Sequence, residues 1–159
     1  MTIGYMFRNE DKEILLGLKA QGRFGEGRWN GPGGKVKVGE GETIYEGFTR
    51  EVEEESGLIV KKAEKRGFLV FHFIEDPIVH HCHIYEILDY AGQIGDSDEM
   101  TWEWFPAKID RIPLGQMWPA DRYWMPYLLA HKKFTGIFFY RDKDILLGYD
   151  ELKEVKSFD

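Results

Sequence analysis

The amino-acid sequence predicts an α+β fold, with two helices layered on a mixed β-sheet in an αβα arrangement. Two observations predict it. Apolar and aromatic residues alternate with polar ones in short runs that recur along most of the chain, as half-buried strands require. Only two stretches carry helix signals instead, one bounded by Thr43 and Gly57 and one that opens around Trp118 and runs to about His131. At 159 residues the chain reads as one domain, 1–159, large enough for a sizeable core.

In order, Ile3–Phe7 and Ile14–Lys19 read as strands around a turn at Asn9–Lys12. Ala20–Gly31 is a polar, glycine-rich loop whose glycines permit close backbone approach to a ligand; a merely flexible loop is the plainer reading. Gly31-Pro32-Gly33-Gly34-Lys35 leads through Val36 and Val38 to the first helix. There Thr43 is a good N-cap, Glu46 completes a capping box, Ile44, Phe48 and Val52 form an apolar stripe, and Gly57 is placed to end the helix. Leu58–Val60 and Gly67–Ile74 read as strands, followed by a turn at Asp76-Pro77 and a strand at Val79–Leu88. Alternation puts His81 and His83 on one face of that strand and His80 and Cys82 on the other, which favours strand histidines over a zinc site. Gly92–Glu99 is a polar loop and Trp102–Phe105 a short strand. In the second helix, Asp121 falls in the opening turn, where negative charge is favoured. Phe134–Tyr140 and Ile145–Tyr149 close the chain as a hairpin around Arg141–Lys143.

The first helix carries an anomaly. Glu51, Glu54 and Glu55 share one face near its C-terminal end, where like charges one turn apart and the macrodipole each cost roughly a few tenths of a kcal/mol. A divalent cation would reverse the sign of both terms. Clustered oxygen ligands suit Mg²⁺, or Mn²⁺, with water and phosphates filling the other positions. Arg50 can reach Glu46 or Glu54 and orient a carboxylate. Taken alone, such an acidic run reads more readily as a solvated helix face.

Net charge is −7, which argues against a nucleic-acid polymer as partner but not against a nucleotide whose phosphates are met by a metal. Cys82 is the one cysteine, so no internal disulfide forms, and a buried free thiol in a reducing setting is the default. No apolar run has the length of a membrane span, and Met1 does not begin a signal peptide. The expectation is a cytoplasmic monomer that meets a small nucleotide and no membrane.

The run Arg50-Glu51-Val52-x-Glu54-Glu55-x-Gly57-Leu58, with Glu42 eight residues before Arg50 and Gly33-Gly34 further back, resembles the Nudix box. The segment from Gly34 to Glu42 is two residues longer than the box prescribes, as if Lys37–Gly41 carried an insertion. Beyond the box, the chain is similar almost end to end to the MutT homologues that hydrolyse oxidised purine nucleoside triphosphates. The similarity is carried by Leu15–Lys19, Gly27–Gly31, Gly33–Val36, Val70-Phe71-x-Phe73, Ser97–Met100, Met117-Trp118-Pro119-x-Asp121-x-Tyr123-Trp124 and Lys132-Lys133-Phe134-x-Gly136.

The resemblance implies a Mg²⁺-dependent release of pyrophosphate from modified purine triphosphates. It assigns the metal to Glu51, Glu54, Glu55 and the carbonyl of Gly33, with Glu99 as a further ligand or the base for water, and Arg50 to the catalytic set. It places Lys19, Gly34 and Lys35 at the nucleotide, Asn30 and Asp121 at the base edge, and Trp118 stacked on the base. Phe24, Phe71, Phe73 and Trp124 would wall the pocket. Two departures bear on specificity. Ala120 replaces the first of two adjacent aspartates, and His80 replaces a pocket methionine. A retuned preference for alkylated purines, or for nucleoside diphosphate derivatives, and a non-catalytic Nudix sensor are the alternatives.

Overall fold

Tyr5 and Met6 are adjacent and both buried, yet they belong to different cores. Strand alternation sends them to opposite faces of a sheet, so the sheet must be covered on both sides. The computed structural model, which describes residues 1–159, has that form. Its strands are β1 (Thr2–Arg8), β2 (Glu13–Lys19), β3 (Trp29–Asn30), β4 (Gly33–Gly34), β5 (Ile59–Phe73), β6 (Asp76–Ala91), β7 (Met100–Pro106), β8 (Phe134–Asp142) and β9 (Ile145–Glu154). The helices are α1 (Ile44–Ser56) and α2 (Asp121–Leu129). The pairs β1–β6 and β5–β8 are parallel and the other pairs antiparallel, so the sheet is mixed, as the sequence predicts.

The first hairpin forks. β1 pairs with β2 only at Phe7↔Ile14 and Arg8↔Glu13, then turns to β4 and β6, while β2 continues against β3 and β7. The glycine-rich loop and the Gly33-Gly34 strand sit in the opening of this fork.

α1 forms because its ends are satisfied locally and one stripe is apolar. Thr43 Oγ1 accepts from the Glu46 N–H at 3.2 Å, the Glu46 carboxylate accepts from the Thr43 N–H at 2.8 Å, and Gly57 takes the left-handed conformation at φ 78°. Phe48 and Val52 pack on Met6, Leu15, Tyr85 and Ile87, a burial that stabilises by about 1.5–3 kcal/mol per large side chain. α2 covers the other face. Its Trp124, Met125 and Leu128 pack with Tyr5, Leu16, Leu69, Phe134 and Phe138.

Three expectations are corrected. Leu58–Val60 and Gly67–Ile74 are not separate strands; Ile59–Phe73 is one strand. The charged run Lys61–Arg66 stays in the ladder through irregularities in its pairing with β6, which break the alternation that would have revealed it. The turn falls at Ile74-Glu75 rather than at Asp76-Pro77, because Asp76 already pairs with Phe73. The second helix ends at Leu129, before the residue His131, which lies at φ 56°. The extra length before Glu42 is held as a single 3₁₀ turn, Val38–Glu40, closed by Gly41 in the left-handed region.

Candidate active site

The carboxylates of α1 are tied to cations from other elements. Arg50 is the hub of one half: its Nε bonds Glu42 Oε1 at 2.6 Å, its Nη1 bonds Glu51 at 2.7 Å and Glu54 at 3.1 Å, and its Nη2 bonds the Lys35 carbonyl at 3.0 Å. Glu42 in turn accepts from the Lys37 N–H at 2.7 Å, and with Arg50 this holds its carboxyl down to about 2. Lys19 is the hub of the other half. Its Nζ lies 2.6 Å from Glu55 Oε1 and 3.8 Å from Glu99 Oε2, so it joins an acid of α1 to one from the loop before β7. Arg23 adds a second cation on Glu99 at 3.4 Å. Glu55 is buried, and burial raises its carboxyl above the usual range although Lys19 and the Gly33 N–H hold it down.

Gly33 and Gly34 are required where they stand. Their strand pairs with Ile3 and Thr2 of β1, where a side chain at Gly33 would strike the Thr2 carbonyl and one at Gly34 would overlap the Glu51 carboxylate. The atom of Gly33 that meets the acids is its N–H, which donates to Glu55 Oε2 at 2.9 Å. The Lys35 side chain is exposed; its carbonyl is the group drawn into the cluster.

Each carboxylate thus faces a cation of the chain, and no three of them converge on one point as the helix face alone suggests. The donor set nevertheless suits a hard cation. Five carboxylates border Lys19 and Arg50, and the Lys19 ammonium already stands as a positive charge between Glu55 and Glu99.

The second group of predicted residues gathers on the other face of the sheet. Asp121 opens α2 and is 4% exposed. Its Oδ1 accepts from Trp124 Nε1 at 3.1 Å, while its Oδ2 is buried with no partner. Burial lifts its carboxyl to about 7, against the Trp124 bond and the charge of Arg28. Asn30 Oδ1 accepts from Tyr5 Oη at 2.7 Å and from the Gly31 N–H at 2.9 Å. Phe73 stacks on Tyr140 with centroids 5.1 Å apart, and Phe71 stacks on Phe138 at 5.8 Å. His80 meets the Phe73 ring edge-on and bonds Asp76 at 2.9 Å.

Trp118 is half-buried, with the exposed Phe24 ring 5.6 Å away. The Arg28 guanidinium lies 4.1 Å from the Trp118 ring centre and is held there by Asp144 at 2.6 Å. Trp124 is 2% exposed, stacks on Phe134 and supports Asp121 through its indole N–H, so it meets the site from the core side.

Three residues of this region escape a reading of the sequence alone. Arg23 and Arg28 lie in the glycine-rich loop, whose charge pattern gives no address. Tyr140 follows Phe134, Gly136 and Phe138 on the inward face of β8, and it alone of the four has a polar tip, the one signal that could have found it.

The chain is similar to known proteins along most of its length. The mouse oxidized purine nucleoside triphosphate hydrolase is 46% identical over 149 residues, covering 94% of this chain and 92% of the mouse protein. The zebrafish protein of the same name is 42% identical over 144 residues, covering 91% and 88%. The solved structure of a MutT protein from Bacillus halodurans shares the fold, with a TM-score of 0.78 at 24% identity over 94% of each chain. The NUDIX domain pattern matches residues 1–128, and with the Arg50–Leu58 box and these relatives it establishes that the chain belongs to the Nudix family.

Proposed function

We propose that the protein is a Mg²⁺-dependent pyrophosphohydrolase of modified purine nucleoside triphosphates, giving the monophosphate and pyrophosphate, with Mn²⁺ able to replace Mg²⁺. The observation that carries the reading is Asp121. A fully buried carboxyl with one oxygen unpaired costs stability, and a fold keeps such a group for a ligand. Near its pKa of about 7 it can accept or donate, which suits purine edges of differing tautomer. Asn30 contributes an amide to the same edge. Trp118 supplies the stacking face, whose affinity for a flat group is already expressed by the Arg28 guanidinium.

Glu51, Glu54, Glu55 and Glu99 would hold the divalent ion. When bound, it supplies neutralisation of phosphoryl oxygens and a more acidic water. The chain's own groups do the rest. Arg50 fixes the carboxylates of Glu51 and Glu54, Lys19 leaves Glu55 to meet phosphate, and a carboxylate of the cluster takes the proton of the attacking water. The net charge of −7 fits a free nucleotide rather than a polymer. No helix is long and apolar enough to cross a membrane.

The test is pyrophosphate release with Mg²⁺ from dGTP, 8-oxo-dGTP, 2-hydroxy-dATP, O6-methyl-dGTP and a nucleoside diphosphate sugar, with Glu55→Gln as control. A preference for an oxidised purine is the expected result. Ala120, fully buried and without a polar atom in its side chain, favours one second reading, a pocket retuned to alkylated purines. That reading wins if O6-methyl-dGTP is the better substrate. No release from any of them overturns both.

A further inference from the structure

Tyr140 stands among the residues assigned to the base without having been assigned a role. It is 1% exposed, stacked on Phe73, edge-on to Trp118 with centroids 6.4 Å apart, and close enough to Asp121 for that carboxyl to act on it electrostatically. Its hydroxyl accepts one hydrogen bond, from the Ala120 N–H at 2.9 Å, at the mouth of α2. No acceptor of the chain takes its proton. A phenol of this kind has a donor to spare. Burial raises its pKa, so the proton stays in place across the physiological range. The neighbouring position, Ala120, offers only a methyl group, and Asp121 Oδ2 beside it is likewise unpaired.

We propose that Tyr140 is a base-reading residue, whose phenolic O–H donates to an acceptor on the purine edge beside Asp121. The proposal rests on the reading of this site as a purine pocket and adds the donor that sets its selectivity. Tyr140 and Asp121 then form an unequal pair. The phenol is a fixed donor, whereas the carboxyl changes role with pH. A purine that turns a carbonyl oxygen or an unprotonated ring nitrogen to Tyr140 is accepted. One that turns an amino group there leaves the phenol unmatched and is rejected, the stronger of the two ways a polar site discriminates.

The experiment is a binding cycle by calorimetry, using dGMP, its 7-deaza analogue and the 2-aminopurine deoxyribonucleotide, which lack the N7 and O6 acceptors respectively. Wild-type protein loses about tenfold in affinity on removal of one of the two acceptors. Tyr140→Phe, already weaker for dGMP by a similar factor, loses nothing further on the same removal. A structural role for the hydroxyl would weaken all three ligands alike and leave the ratios unmoved.

Equal losses in both proteins, or no loss in wild type, overturn the proposal. If Tyr140→Phe does not fold, the same removal measured in Asp121→Ala, which leaves no donor at that position, decides. A persisting penalty assigns the donor to Tyr140, and a vanished penalty assigns it to Asp121 and overturns the proposal. Pyrophosphate release by the wild type is read separately. Its absence defeats the hydrolytic reading while the binding cycle still decides on Tyr140.

Discussion

Lys19 Nζ lies 2.6 Å from Glu55 Oε1, a side-chain cation lodged against the buried acid of the Nudix helix. A metal ion held by Glu55, as proposed above, would therefore compete with this ammonium for the same carboxylate. Lys19→Met is expected to tighten Mn²⁺ binding in the absence of nucleotide by about fivefold, the order of what a partly exposed ion pair contributes. Calorimetric titration with Mn²⁺ measures it. Unchanged or weaker binding would show that the ammonium does not guard the site.

Glu55→Gln keeps an oxygen to accept the Gly33 N–H but removes the charge. Hydrolysis should fall by roughly 10²–10⁴ in kcat, the range for loss of a positioned acid or base, with the fold intact by circular dichroism. A rise in KM with kcat unchanged would instead limit Glu55 to ground-state binding.

Asp121 sets a pH dependence of stability. Its carboxyl titrates near 3.8 when exposed and at about 7 in the fold, so between these values the folded state keeps a proton that the unfolded state has released. The stability it contributes is full below pH 4 and lost as pH rises through 7. Urea titrations should show wild type losing roughly 2–3 kcal/mol from this source between pH 5 and 8, and Asp121→Asn lacking that decline. Parallel curves for the two proteins would place the titration elsewhere.

Glu42 has the opposite sign. Its carboxyl is held at about 2 by Arg50 and the Lys37 N–H, below its ordinary 4.5. Its contribution is present above pH 4.5 and lost as pH falls towards 2. Glu42→Gln should therefore melt below wild type at pH 7, and the two melting temperatures should converge near pH 2. A gap that stays constant across that range would count against the Glu42–Arg50 pair as its source.

What was legible in the sequence was what local chemistry decides. Thr43, Glu46, Gly57 and the Ile44–Phe48–Val52 stripe define α1 without reference to anything distant, and the acids on it follow. Asp121 is legible from the residues only as an acid in the opening turn of α2, and its place beside Trp118 at the base comes from the resemblance. The length of β5 was not, because Lys61–Arg66 keeps its place by pairing with β6 through irregularities that no local alternation encodes. Nor was the use of Trp124 as a buried support, since an indole beside an acid looks the same in sequence whether it faces ligand or core. The placing of Lys19 between Glu55 and Glu99 depends on the fork of β1 and β2, a long-range property.

That fork has a consequence beyond geometry. The acids of α1 hang from the face that Met6 covers, and Asp121, Phe73 and Tyr140 gather on the face that Tyr5 covers. Under the proposed roles, cleavage and recognition would be inherited through different residues on opposite sides of one scaffold. With such a division a lineage could trade one base for another by a substitution on the Tyr5 side, position 120 among them, and keep its hydrolytic apparatus unaltered, so that selection would act on the two capacities along separate paths.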